Sequence, residues 1–246
     1  RTSDYCREDH HILDPFMTSK QLISRIFGIS GAQEHRGGRF YFSKFLPLAT
    51  ELGRVDRGFS QVAPLDRIVE FFTELKINRA DIDGFDLDRV VDARVGNCVE
   101  LSVLLILLIR ELGIGVAGVR VPNHMFTRVR HHNRWVNVEP ACAAPPLSDA
   151  EYRRKYQVTK RQEENGLCMV PLSDQTLLAQ IAHKISFSSL ARGEAISCEL
   201  RRVLRLALHA HPKGIETYNS LGLNYMLRHY CPVKSRIIST GYVPRL

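Results

Sequence analysis

The sequence has no apolar run long enough to cross a bilayer. A spanning helix needs about 20 apolar residues, whereas the longest run here, Leu101–Ile109, is interrupted by Ser102. We therefore expect a buried helix and no membrane span. The sequence also does not open with the charged, apolar and small-residue regions of a secretion signal. We expect a cytoplasmic protein, with secretion as an effector as the alternative.

Cysteine is present, but without the spacing of a structural framework. The six cysteines in 246 residues form no CxxC pair and no regular series, which argues against a zinc ribbon or a small disulfide scaffold. Reduced thiols are the default for such a chain. The sequence also lacks a glycine-rich phosphate loop, and the group of Cys6, His10, His11 and Asp14 matches no zinc pattern. We therefore expect neither a metal nor a cofactor.

Lysine is scarce although the chain is basic. Only eight of the 34 Lys and Arg residues are lysines, and the formal net charge is +8. Nucleic-acid-binding proteins usually concentrate such charge in one stripe, but these arginines are spread along the whole chain. We expect a solvated basic surface with a bias toward acidic protein substrates, and keep a nucleic-acid binder as a lesser hypothesis.

Hydropathy divides the chain into three segments. With 44% hydrophobic and 24% charged residues, the composition is that of a globular protein. We predict a segment of unclear role at 1–60, an α+β core at 61–165, and a helical tail at 166–246. Periodicity and breaker residues predict helices at 18–27, 64–75, 98–112, 176–185, 199–210 and 216–229, and strands at 116–121, 125–130 and 134–138.

The tail matches fragments of a tetratricopeptide unit, a repeat of two helices. An ordinary helical hairpin packed on the main domain is the equal alternative, because such arrays usually need three or more units. Either structure would offer a surface for a protein partner. The matching positions are Leu204, Ala207, Pro212, Tyr218, Leu221, Gly222 and Tyr225.

Cys98 lies at the predicted start of the apolar helix, directly after Asn97. The first amides of a helix are unpaired donors, and the helix dipole there favours an anion. A thiol at this position is a better nucleophile at neutral pH, and the backbone amides of Cys98 and Val99 are the predicted oxyanion hole. The alternative is a buried, small hydrophobic residue, which is common for cysteine.

The predicted hairpin brings His124 and Glu139 together. If His131 and His132 form a two-residue turn, His124 pairs directly with Glu139. Opposed side chains lie about 4.5–5.5 Å apart at Cβ, close enough for a carboxylate to orient an imidazole. A three-residue turn would shift the pairing by one residue. Asn137, on the same face as Glu139, is the reserve for the orienting role.

A thiol at a helix terminus, a histidine and an acid are the parts of nucleophilic catalysis by a Cys-His-acid triad. We predict Cys98 as the nucleophile, His124 as the base and Glu139 as the third member. Asn97 and Trp135 are the predicted substrate-binding residues, with Trp135 as a wall of the acyl channel. The alternative for Trp135 is an aromatic side chain that only packs in its strand.

These motifs resemble the transglutaminase-like cysteine superfamily, and most of all its bacterial branch that joins such a domain to tetratricopeptide repeats. The resemblance covers about residues 60–145. It rests on Gly96–Ser102, the apolar helix to Gly113, the strand to Val121, His124, and Trp135–Pro140.

The resemblance implies a papain-like core in which the nucleophile helix packs on a small antiparallel sheet. It also implies acyl transfer from a protein or peptide amide through a thioester, by deamidation, cross-linking or proteolysis. By the same resemblance, Cys98 is the nucleophile and His124 the general base. Glu139 stands where the family usually has Asp in a W-x-x-x-D-P context, so its extra methylene leaves Asn137 as the alternative.

A non-enzymatic scaffold is the main competing hypothesis, in which an inactive domain and the helical tail bind a partner. Geometry separates the two hypotheses. A Cys98 sulfur that is buried, or that lies more than about 5 Å from a His124 ring nitrogen, favours the scaffold.

The first testable prediction concerns thiol reactivity. Iodoacetamide at neutral pH should label Cys98 before the other five cysteines, because the helix terminus stabilises its thiolate. Peptide mapping by mass spectrometry after short exposures gives the order, and the unfolded chain is the control in which this advantage disappears. Earlier labelling of any other cysteine would contradict the assignment. The competing thiols are those of Cys6, Cys142, Cys168, Cys198 and Cys231.

Overall fold

The protein has an α+β fold in which helices surround a small antiparallel sheet. The computed structural model describes residues 17–30, 34–57, 70–73, 78–79, 84–131, 134–140, 147–191 and 198–210. The helices are α1 (Ser19–Ile29), α2 (Glu34–Phe40), a π-helix (Tyr41–Phe45), α3 (Leu46–Arg57), α4 (70–73), α5 (Leu87–Ala93), α6 (Cys98–Glu111), α7 (Asp149–Lys155), α8 (Lys160–Glu164), α9 (Asp174–Ala191) and α10 (Cys198–Ala210). The strands are β1 (Asn78–Arg79), β2 (Val95–Gly96), β3 (Val116–Val121), β4 (His124–His131) and β5 (Arg134–Val138).

Several predicted elements fall on residues outside the described ranges. These are the helix at 216–229, most of the helix at 64–75, and the repeat positions from Pro212 onward. None of the helices within the described ranges combines the length and the apolar character that a membrane crossing requires.

Helix α6 lies at the centre of the fold. Every residue from Cys98 to Ile109 is buried, as expected for a helix that is apolar on all sides. The helix packs against β3 and β4 on one side and contacts α1, α3 and α5 on others. Ser102, which interrupts the apolar run, donates its hydroxyl to the Met125 carbonyl at 3.2 Å, so its burial is compensated by a bond to β4.

Both ends of α6 are set by local side-chain and backbone chemistry. Asn97 caps the first turn, and Glu100 bonds back to the Asn97 amide in a capping box. At the other end, Gly113 has a φ of +73°, a left-handed conformation that glycine adopts without steric cost. The predicted helix at 98–112 is therefore confirmed to within one residue.

Strands β3, β4 and β5 form a three-stranded antiparallel sheet in that order. The predicted bounds of β3 and β5 are confirmed, and β4 extends one residue further at each end than predicted. The short β1 and β2 pair in parallel, with Arg79 opposite Gly96, directly before the start of α6.

The predicted pairing of β4 with β5 is wrong by two residues. His131 is not a turn residue but pairs with Arg134, and Arg128 pairs with Asn137. His124 and Glu139 are therefore not directly opposed, and Glu139 follows the last residue of β5. Because side chains alternate with a period of two, a slip of two residues leaves each side chain on its expected face.

Both faces of the sheet carry buried side chains. One face carries Met125, Val129 and Val138 into the main hydrophobic cluster around α6. The other face places Val119 and Phe126 in a smaller cluster with the segments that follow the sheet. The main cluster also contains buried side chains of α1, α9 and α10, so one core joins parts of all three predicted segments.

A pair of glycine substitutions tests how tightly the start of α6 is packed. A Cβ on Gly96 would lie 2.9 Å from Val90 Cγ2 and 3.1 Å from Leu101 Cδ2, so Gly96→Ala should destabilise the fold by about 1–3 kcal/mol. Gly28, inside α1, has no atom within 4 Å of such a Cβ. Gly28→Ala should stabilise the fold by about 0.4–1 kcal/mol.

Denaturant unfolding of both variants measures the two changes in the free energy of unfolding. Equal effects of the two substitutions would contradict the packing described around Gly96.

Candidate functional site

Cys98 is the first residue of α6 and is buried, with 7% of its surface exposed. The Asn97 side chain beside it accepts hydrogen bonds from the Val99 amide at 3.0 Å and the Glu100 amide at 3.1 Å. It also donates to the Gly84 carbonyl at 2.9 Å. Asn97 therefore acts as a helix cap, and its predicted role in binding substrate stays a prediction.

The same cap corrects the predicted oxyanion hole. The Val99 amide donates to Asn97 Oδ1, so this donor is already used by the protein. Of the two predicted amide groups, that of Cys98 is therefore the remaining candidate for the oxyanion donor.

His124 opens β4, and its side chain is fully buried. Its Nε2 lies 2.7 Å from Glu139 Oε2. Cys98 lies close enough to the same imidazole to raise its pKa. Nδ1, the other ring nitrogen, is buried and has no hydrogen-bond partner among the described residues. The structure thus brings together the three residues predicted for the triad, although the strand register differs from the prediction.

The charge state of His124 follows from competing effects. Burial lowers its pKa, but the interactions with Cys98 and Glu139 outweigh burial and raise the pKa above its usual value. The protonated imidazole is therefore favoured beside the Cys98 thiol and the Glu139 carboxylate. A thiol beside a protonated imidazole supplies both a nucleophile and a proton donor.

The burial of Cys98 bears on the choice between enzyme and scaffold. Its interaction with His124 favours an enzyme, whereas its burial meets the criterion for a scaffold. A substrate would need the groups that cover the thiol to move before its carbonyl could reach the sulfur.

Two tyrosines from α7 and its end complete the surroundings of His124, and the sequence analysis missed both. The Tyr152 hydroxyl lies 3.1 Å from Glu139 Oε2 and donates to it. The Tyr156 ring stacks on the imidazole with centroids 4.9 Å apart and an interplanar angle of 8°. Tyr152 and Tyr156 are four residues apart, a spacing that places both on one helix face. Two tyrosines at this spacing within a charged segment were the signal in the sequence for these two residues.

Asn137, the reserve for the third role, lies in a different network. Its Oδ1 accepts from Arg128 Nε at 3.0 Å, and its Nδ2 donates to Asp149 Oδ1 at 2.8 Å. Arg128 also donates to Asp149 at 2.8 Å and to the Met169 carbonyl at 3.1 Å. These bonds tie the start of α7 to the sheet, and the geometry favours Glu139 over Asn137 as the partner of His124.

Trp135 lies away from these residues. It pairs with Arg130, whose guanidinium carbon is 5.9 Å from the Trp135 ring centroid. Arg130 is six residues from His124 along β4, which corresponds to about 20 Å. Trp135 is therefore not positioned to line a channel to Cys98, and its packing on Arg130 accounts for its place in the strand.

Glu100 is a buried carboxylate two residues after Cys98. It accepts from the Asp86 amide at 2.6 Å, the Asn97 amide at 2.8 Å and Arg89 at 2.5 Å. Burial raises its pKa even though these donors and the Arg89 charge lower it. Its three donors come from α5, the cap of α6 and the residue that precedes α5, so Glu100 serves to anchor the helix that carries the nucleophile.

The arrangement is suited to nucleophilic and acid–base chemistry. Within the described ranges, no three His, Cys, Asp or Glu side chains are grouped so as to hold a metal ion. The site instead offers a thiol, an imidazole and a carboxylate in sequence, the order of groups that acyl transfer through a thioester uses.

Comparisons with known proteins agree with this arrangement. Residues 67–182 match the family model of the transglutaminase-like superfamily. The chain is also similar to the UPF0162 proteins of two Xylella fastidiosa strains, Temecula1 and 9a5c, each at 25% identity over 147 residues. The similarity covers 57% of this chain and 51% of each relative, so the chain spans about half the length of these curated relatives. No solved structure matches significantly.

Two histidine substitutions are expected to show opposite pH dependence. The raised pKa of His124 contributes stability that is complete below the unfolded-state pKa of about 6.5 and lost as pH rises through the folded pKa. The stability advantage of wild type over His124→Gln should therefore shrink as pH rises. Burial lowers the pKa of His183 to about 4, so the advantage over His183→Gln should shrink as pH falls from about 6.5 toward 4.

Denaturant unfolding at a series of pH values measures both differences in the free energy of unfolding. The same direction of change for the two variants would show that one of the two environments is described incorrectly.

Proposed function

We propose that the protein is a cysteine acyltransferase or hydrolase that acts on a protein or peptide amide, because residues 67–182 match the family model of the transglutaminase-like superfamily. The contact of His124 with both Glu139 and Cys98 carries this proposal. A Cys-His-acid triad uses one imidazole nitrogen for the carboxylate and the other for the thiol. Nε2 of His124 is on Glu139, which leaves the buried Nδ1 for Cys98.

In the first step, the Cys98 sulfur attacks the amide carbonyl and forms a carbon–sulfur bond. The carbonyl oxygen becomes an oxyanion, for which the Cys98 backbone amide at the start of α6 is the proposed donor. As the tetrahedral intermediate collapses, the carbon–nitrogen bond breaks and protonated His124 gives its proton to the leaving amine or ammonia. The products are a thioester on Cys98 and neutral His124.

In the second step, neutral His124 accepts a proton from water or from an incoming amine. The resulting nucleophile attacks the thioester carbonyl, and the carbon–sulfur bond breaks to return the thiolate. Water gives a carboxylic acid, whereas an amine gives a new amide. Glu139 keeps the imidazole oriented in both steps, so that the same nitrogen faces the thiol and the substrate.

A non-enzymatic scaffold is the second candidate function, and the burial of Cys98 favours it. In that case the triad-like contacts would stabilise the domain, and the helical tail would bind a protein partner. The two candidates differ in what Cys98→Ala does, since a scaffold keeps its function without the thiol.

Mass spectrometry of candidate substrate proteins incubated with the protein tests the proposal. Cys98→Ala should reduce product formation by at least about a thousandfold, because no thioester can form. A gain of about 1 Da indicates deamidation, a loss of about 17 Da indicates cross-linking, and fragments indicate proteolysis.

Cys168→Ala is the matched control, because Cys168 is the other buried thiol in the described part of the chain. Burial raises the pKa of its thiol, and the charged groups that act on it are Arg120 and Glu163. Product formation by Cys168→Ala should equal that of wild type. Equal activity of Cys98→Ala and Cys168→Ala would exclude Cys98 as the nucleophile.

A further inference from the structure

The side chain of Tyr152 is fully buried, and its ring has a clear packing role. It stacks on Phe126 with centroids 3.8 Å apart and an interplanar angle of 9°. A phenylalanine would fill the same space without the cost of removing a hydroxyl from water, which is substantial unless the hydroxyl is hydrogen-bonded. The hydroxyl of Tyr152 donates to Glu139 Oε2 at 3.1 Å, which offsets that cost.

The same carboxylate oxygen is the one that faces His124. Glu139 Oε2 lies 2.7 Å from His124 Nε2 and 3.1 Å from the Tyr152 hydroxyl. Two donors on one oxygen restrict the rotation of the carboxylate more than one donor does. Glu139 lies beyond the end of β5, so it is not one of the residues that the backbone hydrogen-bond ladder of the sheet holds in place. We propose that Tyr152 is a positioning residue that holds the Glu139 carboxylate against His124.

Helix α7 delivers Tyr152 to this point because its first residues are anchored to the sheet. Asp149 accepts hydrogen bonds from Arg128 and Asn137, each at 2.8 Å. Tyr152 is three residues from Asp149 and therefore lies on the same side of the helix. The anchor and the tyrosine together fix the distance between α7 and the end of β5.

Tyr156 adds a second constraint from the same element. Its ring covers one face of the His124 imidazole in a nearly parallel stack, which holds the ring plane while Tyr152 holds the carboxylate. Among the described residues, the titratable and charged groups that face His124 are Cys98 from α6, Glu139 after β5, Tyr152 of α7 and Tyr156 directly after α7.

The inference rests on the proposed role of Glu139, and the pKa of His124 reports on it. Glu139 is one of the groups that raise this pKa, so a displaced carboxylate should let it fall. Nuclear magnetic resonance titration of protein with ring-labelled histidine measures it. The signal of His124 among the ten histidines is identified by its loss in His124→Gln.

Tyr152→Phe removes the hydroxyl and keeps the ring on Phe126. We expect it to lower the pKa of His124 by about half a unit to one unit. Tyr41→Phe is the matched control, because the Tyr41 hydroxyl also bonds a glutamate, Glu111 Oε1, at 3.0 Å. That bond lies at the far end of α6, about 20 Å from Cys98, so Tyr41→Phe should leave the pKa of His124 unchanged.

Asp149→Ala keeps the inference testable if Tyr152→Phe fails to fold. Asp149 has a side chain that is 44% exposed, and its loss loosens the anchor of α7 without touching Glu139. We expect it to lower the pKa of His124 in the same direction. The inference is overturned if the variants that fold leave this pKa within about 0.1 unit of wild type.

Glu139→Gln separates failure of the inference from failure of the proposed function. If Glu139→Gln lowers the pKa of His124 and the α7 variants do not, the triad stands and the role of Tyr152 is overturned. If Glu139→Gln also leaves the pKa unchanged, both the role of Glu139 and that of Tyr152 are overturned. A fall in Glu139→Gln and in the α7 variants, with none in Tyr41→Phe, supports both.

Discussion

The geometry of the site depends on where α6 begins. Asn97 and Glu100 bond each other's backbone reciprocally across the first turn, and Glu100 is further held by Asp86 and Arg89. A buried carboxylate that lost these donors would be strongly destabilising. Any shift of the helix start by one residue would therefore be costly. Cys98 keeps its position because its neighbours on both sides are fixed.

A second hydrogen bond fixes the start of α6 relative to the sheet. Ser102 lies one turn after Cys98 on the same side of α6, and its hydroxyl bonds the carbonyl of Met125, the neighbour of His124. The helix and the strand are thus joined next to the two residues that must meet. These hydrogen bonds hold the backbone around both Cys98 and His124. The fold therefore brings the thiol and the imidazole close together, and their mutual attraction strengthens this contact.

Local sequence signals predict much of this fold. They do not predict the contacts between residues that are far apart in the chain. Gly113 and Pro122 interrupt the chain where α6 and β3 end, so the bounds of these elements could be predicted. The turn between β4 and β5 could not, because His131 fits a turn or a strand equally well. The predicted contact of His124 with Glu139 is nevertheless present, because a slip of two residues leaves each side chain on the same face of the sheet.

Two roles within the site were not predictable for different reasons. Asn97 lies next to Cys98, which suggested contact with substrate, and its role as the cap of α6 is shown by its bonds to Val99, Glu100 and Gly84. Tyr152 lies in a charged segment, and neither periodicity nor spacing shows that this helix packs against the end of β5. Such a contact depends on the tertiary arrangement of three separate parts of the chain.

The balance of charges around His124 also bears on the order of steps in the proposed reaction. Burial alone would keep the imidazole neutral, and the negative groups of Cys98 and Glu139 reverse this. A protonated His124 suits the first step, in which a leaving amine needs a proton. In the proposed thioester, Cys98 carries no negative charge, so only Glu139 of these two groups still opposes the effect of burial on the pKa of His124. In the proposed reaction, the pKa of His124 therefore falls at the stage when a base is needed to activate water or an amine.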